Sequence, residues 1–125
     1  MSTIADRRAE VLSAVTECNG DVWRAMDDQP SVPRQGDVWM TTQGLSASEE
    51  AFGASLEVTF MIVVILGRDL KAAVAMYETD VAQLVAYLSV TLEAAGFECT
   101  PVVLAQDNGG QINAAEITIR MVITP

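Results

Sequence analysis

The chain has 125 residues, half of them apolar, with 17 acidic against 7 basic side chains, no histidine, and a net charge of −10 at pH 7. One domain of this length buries roughly two thirds of its unfolded surface without staples. The composition excludes wholesale disorder, histidine-dependent zinc or nucleophile chemistry, and the basic footprint of a nucleic-acid binder.

No apolar run follows Arg7 and Arg8, so no secretory signal is expected. In the first helix, expected from about Thr3 to Cys18, Ile4, Arg8, Val11, Leu12, Val15 and Cys18 form a narrow stripe at helical spacing. Asn19-Gly20 reads as a stop of the left-handed-cap type. Val22 to Met26 reads as a short strand carrying Trp23 and Arg24. Asp27 to Asp37, with two prolines, a glycine and several charges including Arg34, is a loop. Strand character resumes from Val38 to Gln43 around Trp39, and the small, polar segment Gln43 to Gly53 reads as a mobile connection.

The most informative stretch is Gly53 to Leu66, GASLEVTFMIVVIL. Leu56, Val58, Phe60, Ile62, Val64 and Leu66 share one face; Ser55, Glu57 and Thr59 begin the other, which turns apolar at Met61, Val63 and Ile65. A strand so patterned starts half exposed and ends buried on both sides. At roughly 3.4 Å per residue it extends about 40 Å, well beyond an average strand, so it is expected to project past its own core; a bulge breaking it is the alternative. Its longest apolar run, Phe60 to Leu66, is far short of the ~20 residues of a membrane helix, and a soluble, cytoplasmically made chain is expected.

Asp69 is placed to cap the next helix, where Leu70, Val74, Tyr77, Val81, Leu84, Leu88 and Leu92 recur at helical spacing. This is one long helix to Ala95 or two with a break near Thr79-Asp80, stopped by Gly96. Phe97 to Ala105 and Ile112 to Thr124 then form a hairpin around Asp107-Asn108-Gly109-Gly110. Ile117, Ile119, Met121 and Ile123 make its apolar face, with Glu116, Thr118 and Arg120 opposite; Pro101 suggests an edge strand or a bulge. The order α-β-β-β-α-β-β gives a single α+β domain over residues 1–125, a mostly antiparallel sheet of about four to five strands with helices packed on one face.

Chemistry-bearing groups are scarce. Cys18 and Cys99 fit no metal or redox pattern and read as free, buried thiols. Asp27-Asp28, Glu49-Glu50 and Asp107 lack the spacing of a calcium loop and read as solvated acids. No catalytic, metal or cofactor-binding residue is assigned. Trp23 and Trp39, beside Arg24 and Arg34, are either anchors of a contact surface or caps of the core. Arg68, Lys71 and Arg120 are isolated cations, suited to solvation or to ion pairs between subunits. With Glu57, Thr59 and Glu116 on the polar sheet face, the candidate interface set is Trp23, Arg24, Arg34, Trp39, Glu57, Thr59, Arg68, Glu116 and Arg120.

The ordered series of an amphipathic helix, two short strands interrupted by proline and glycine, FMIVVILGRDLKAA, LSVTLEAAGFE and PVVLAQDNGGQINAAEITIRMVIT resembles the small tail terminator proteins of long-tailed bacteriophages over nearly the whole chain. The resemblance implies a non-enzymatic structural protein of the virion, at the head-proximal end of the tail. It implies a homo-oligomeric, hexameric ring that caps the tail tube, ends its polymerisation and meets the head-tail connector, while DNA passes through without specific binding. A head-tail connector or tail-completion protein is the close alternative. From a different class, the alternative is a small acidic ligand-binding α+β dimer, with an enzyme last.

Overall fold

The computed structural model describes residues 3–50, 53–94, 96–106 and 109–123, with side chains left out of account at 48–50 and 53–55. The elements run α1 (Ile4–Cys18), β1 (Arg24–Ala25), β2 (Asp37–Glu50), β3 (Gly53–Gly67), α2 (Leu70–Met76), a π turn (Tyr77–Val81), α3 (Ala82–Thr91), β4 (Gly96–Ala105) and β5 (Gln111–Ile123). The sheet order is β1-β2-β3-β5-β4, with β1 parallel to β2 and every other pair antiparallel. The expected α+β class and element order hold, with five strands in the sheet.

α1 starts at a reciprocal cap: Thr3 Oγ1 accepts from the Asp6 amide and Asp6 Oδ2 from the Thr3 amide. Its expected left-handed stop is not what forms, because neither Asn19 nor Gly20 has a positive φ. Asn19 turns the chain itself: its carbonyl accepts from the Val22 and Trp23 amides and its side chain from the Asp21 amide. Asp69 caps α2 as expected, accepting from the Ala72 amide.

All three helices cover one face of the sheet. Val11, Ala14 and Val15 of α1, Ala73 and Met76 of α2, and Leu84 and Leu88 of α3 close on Met40 of β2, Val58 to Leu66 of β3 in alternation, and Ile117, Ile119 and Met121 of β5. A second, smaller cluster lies on the other face: Trp39, Val63, Ile65, Ile112 and Ala114, with Val102 and Leu104 against it. The double burial expected for the second half of β3 is therefore real, Ile62 through Leu66 being closed to solvent.

Further expectations are corrected. Gln43 to Gly53 is not a mobile connection: β2 continues through Glu50 and pairs with β3 down to Glu50 opposite Gly53, with one irregularity between Thr42 and Gly44. An antiparallel partner supplies the hydrogen bonds that weak β-formers do not secure alone, and small polar side chains suit a solvated arm. Residues 51 and 52 of that connection lie outside the described residues. β3 itself runs unbroken from Gly53 to Gly67, so the alternative of a strand broken at a bulge does not hold; its register shift against β5 lies near its end, between Ile65 and Gly67.

The second helical region ends at Thr91, not at Gly96, which opens β4 instead. Its break falls at Tyr77–Val81, around Thr79-Asp80 as expected, and takes the form of a π turn. The extra residue rephases the helix. Met76 and Val81 both point inward, Leu84, Leu88 and Leu92 follow, and Ala73 takes the inward place that the stripe assigned to Val74. Leu70 and Val74 are left outside at 65% and 47% exposure.

β4 is an edge strand, which accounts for Pro101. Gly109 has φ +84, consistent with the expected turn, while Asp107 and Asn108 lie outside the described residues. Among the described residues no helix is long and apolar enough to cross a membrane.

Candidate functional site

The feature that stands out from the core is the far end of the β2–β3 hairpin. β5 pairs with β3 only from Leu56 onward, so among the described residues Gly53 to Ser55 are held by β2 alone. β1 pairs with β2 only at Asp37 and Val38. Beyond that, Arg8 Nη2 donates to the Met40 carbonyl at 2.7 Å, and Thr41 to Ala47 are exposed with no strand on their outer side among the described residues. The result is an arm with an open edge, the arrangement that accepts another strand or a neighbouring chain.

The arm is also apolar on one side. Leu45 stands opposite Val58, Ala47 opposite Leu56, and Leu56 opposite Ile123. Val58 and Ile123 belong to the main core, so these residues continue its face outward, and Leu45 and Leu56 are 57% and 39% exposed there. At the other end of the same face, Leu66, Leu70, Ala73, Val74, Pro101 and Val103 line an open groove of about 250 Å³.

The sheet face opposite the helices is polar in its half nearest the arm. Glu57, Thr59, Glu116 and Thr118 are half-buried there and Arg120 is exposed; Thr59 pairs with Arg120, Met61 with Thr118, and Val63 with Glu116. Arg120 Nη1 stands 4.0 Å from Glu57 Oε1, an exposed pair contributing at most about 1 kcal/mol. The Arg120 guanidinium lies over Gly96, filling the place a β-carbon would occupy. The expected polar face is thus present in that half, with the side chain of Ser55 outside the described set; the apolar cluster around Trp39 replaces it in the other half.

The candidate interface residues do not form one patch. Trp23 and Trp39 are 2% and 4% exposed, so of their two readings the structure takes the core one: a ring closed to solvent in a single chain offers a partner no anchor. Arg24 acts inside the chain, donating through Nε to Asp37 Oδ1 at 2.9 Å and through Nη2 to the Gln35 carbonyl at 2.6 Å. Asp37, 3% exposed, also accepts from the Arg34 amide, so this loop is latched rather than presented. Arg34 and Arg68 are exposed, and Arg68 Nη2 donates to Gln106 Oε1 at 2.9 Å. Glu57, Thr59, Glu116 and Arg120 do come together, on the polar half-face.

Residue-by-residue reading missed Leu45, Leu70, Val74 and Val103. Leu45 is a leucine set among small and polar residues, Leu70 and Val74 fall on a helical stripe, and only Leu45 carries a signal, as a large apolar residue with no local reason to be buried. Among the described residues no group of acidic and cysteine side chains is placed to hold a metal. Cys18 and Cys99 are free and half-buried, and burial pushes both thiols up, away from the reactive thiolate.

No family model matches the chain, and no curated protein does. Among solved structures, the chain is similar to a chain in the structure described as the virion of a native gene transfer agent particle, at 16% identity and TM-score 0.53 over 92% of each chain. At that identity the likeness speaks for the shared fold.

Proposed function

We propose that the chain is a structural protein of a phage-like virion and, within it, the tail terminator: a ring, hexameric by the family resemblance, that caps the tail tube, ends its growth and meets the head-tail connector. The observation that carries the virion part is the fold shared with a virion chain along nearly the full length of both. The arm supports the ring part. A side of the chain that reaches past its own core, with an open strand edge and a bare apolar face, is suited to a neighbour. A head-to-tail contact repeated by rotation closes a ring.

The net charge of −10 supports a channel through which DNA slides, because an acidic wall earns no counterion release from phosphates. The role needs no cofactor and no catalysis. The polar half-face with Glu57, Glu116 and Arg120 and the exposed Arg68 are surfaces left for tube, connector or lumen.

The test is electron microscopy of particles produced without this chain. Over-long tail tubes and unjoined heads are expected. Tails of normal length with unjoined heads would favour the connector or tail-completion reading, and normal particles would remove the virion assignment.

A further inference from the structure

We propose that the arm of one copy seats in the apolar groove of the next, Leu45 and Leu56 packing on Leu70, Val74 and Val103, and that this contact is the joint between subunits. It rests on the ring reading, for which it supplies the missing contact.

Three observations converge on a second copy as the occupant. Both patches are bare apolar surface: Leu45 and Leu56 are 57% and 39% exposed, and Leu70, Val74 and Val103 are 65%, 47% and 57% exposed. Exposed leucine and valine gathered into a patch mark a contact rather than a solvated surface.

The charges beside the patches are opposite. From Val38 to Gly67 the chain carries Glu49, Glu50 and Glu57 and no basic residue; Glu57 lies on the opposite face, 4.0 Å from Arg120, so Glu49 and Glu50 set the charge of the arm. Leu70 of the groove is flanked in sequence by Arg68 and Lys71, both exposed, two of only seven cations in the chain. Asp69 between them is occupied as the cap of α2. An acidic arm therefore approaches the most cationic stretch near the groove.

The third observation is distance. The two patches lie at opposite ends of β3, from Leu56 to Leu66, about 33 Å apart at the rise of a strand. An arm built into the same sheet as the groove does not fold back into it, so its apolar face is met by another molecule. Because patch and counter-patch differ, the contact is head-to-tail and leaves one free arm and one free groove on any open chain of subunits.

That asymmetry makes a mixing experiment decisive. Purified wild-type chain, Leu45→Asp and Val74→Asp are sized by light scattering and sedimentation equilibrium. Wild type is expected to self-associate, and each variant to associate about 10–100-fold more weakly, the loss of one well-buried aliphatic side chain. Mixed in equal amounts, the variants should form dimers and nothing larger: the intact arm of Val74→Asp fits the intact groove of Leu45→Asp, and the remaining two ends are dead. Both positions are exposed, so the fold should survive; should either aspartate variant fail to fold, Leu45→Ser and Val74→Ser replace the pair.

Variants that assemble like wild type overturn the contact, as does a mixture that stays monomeric. A wild type that remains monomeric to about millimolar concentration overturns it as well, a millimolar Kd being only about 4 kcal/mol of association. None of these outcomes touches the virion reading, which fails only on the tail lengths and joined heads of particles lacking the chain.

Discussion

Gly36 leaves no room for a side chain. Its φ is +90, and a β-carbon there would stand 2.4 Å from the Val22 carbonyl oxygen, on the backbone that leads into β1. A side chain would add the cost of a left-handed backbone, about 1–3 kcal/mol, to a clash that only a backbone shift relieves. Gly36→Ala should therefore lower the unfolding free energy by at least that amount, read as a lower denaturant midpoint with the slope unchanged. Asp37 next to it is nearly closed to solvent, and its carboxylate takes both Arg24 Nε and the Arg34 amide. Asp37→Ala leaves that amide without its partner and should cost about 1–3 kcal/mol, readable in the same titration. Asp6 makes a pH-dependent contribution. The Thr3 amide, then the Thr3 hydroxyl, hold its carboxyl below the usual carboxylate value. A depressed folded value means stabilisation that is present above the unfolded value and lost as pH falls through the folded one. The melting temperature of wild type should thus fall more steeply than that of Asp6→Asn as pH drops through the acidic range.

At the scale of elements, the arm and the core are separable. Among the described side chains, the main cluster draws on β2 only at Val38 and Met40 and on β3 from Val58 onward, and the stretch 46–55 lies beyond it along the hairpin. Replacing that stretch with a short turn should leave the melting temperature within a few degrees of wild type while abolishing self-association, measured by sizing. The contrast is a core truncation such as Ile62→Ala in β3, fully buried, which should cost about 2–5 kcal/mol. The arm also shows where local reading stops. Leu45 to Glu50, LSASEE, alternates only weakly and is built of poor β-formers, and its extended form comes from the partner supplied by β3. The π turn is a second such place. Spacing from Leu70 to Leu92 predicts one stripe, yet a single inserted residue moves Leu70 and Val74 from the buried side to the surface, because packing against β3 and β5 selects Ala73 and Met76 instead.

For the whole molecule, the placement of its patches matters more than any one of them. The helices roof only part of one sheet face, leaving the arm at one end and the groove at the other. The opposite face is split between the Trp39 cluster and the polar half with Glu57, Thr59, Glu116 and Arg120. A subunit with unlike patches at its two ends builds rings or filaments, and the geometry of rotation decides which. With a net charge of −10, assembled particles should show no retention of double-stranded DNA in a gel-shift assay at physiological salt. Measurable binding would argue against an acidic channel wall.

Much of this was legible in the chain itself, for a physical reason. The alternation through Leu56 to Leu66, the second half of the long helical stripe and the alternation through Ile117 to Ile123 are periodicities that a buried surface imposes directly on residue order. The α+β layering followed, as did Pro101 on an edge. The extension of β2, the turning out of Leu70 and Val74, the burial of Trp23 and Trp39 and the splitting of the second face were settled only when distant segments met. Each depends on a partner remote along the chain: β3 for the arm, the sheet for the helix phase, Ile112 and Ala114 for the tryptophan of β2. Periodicity records which side of an element is dry; it does not record which neighbour keeps it so.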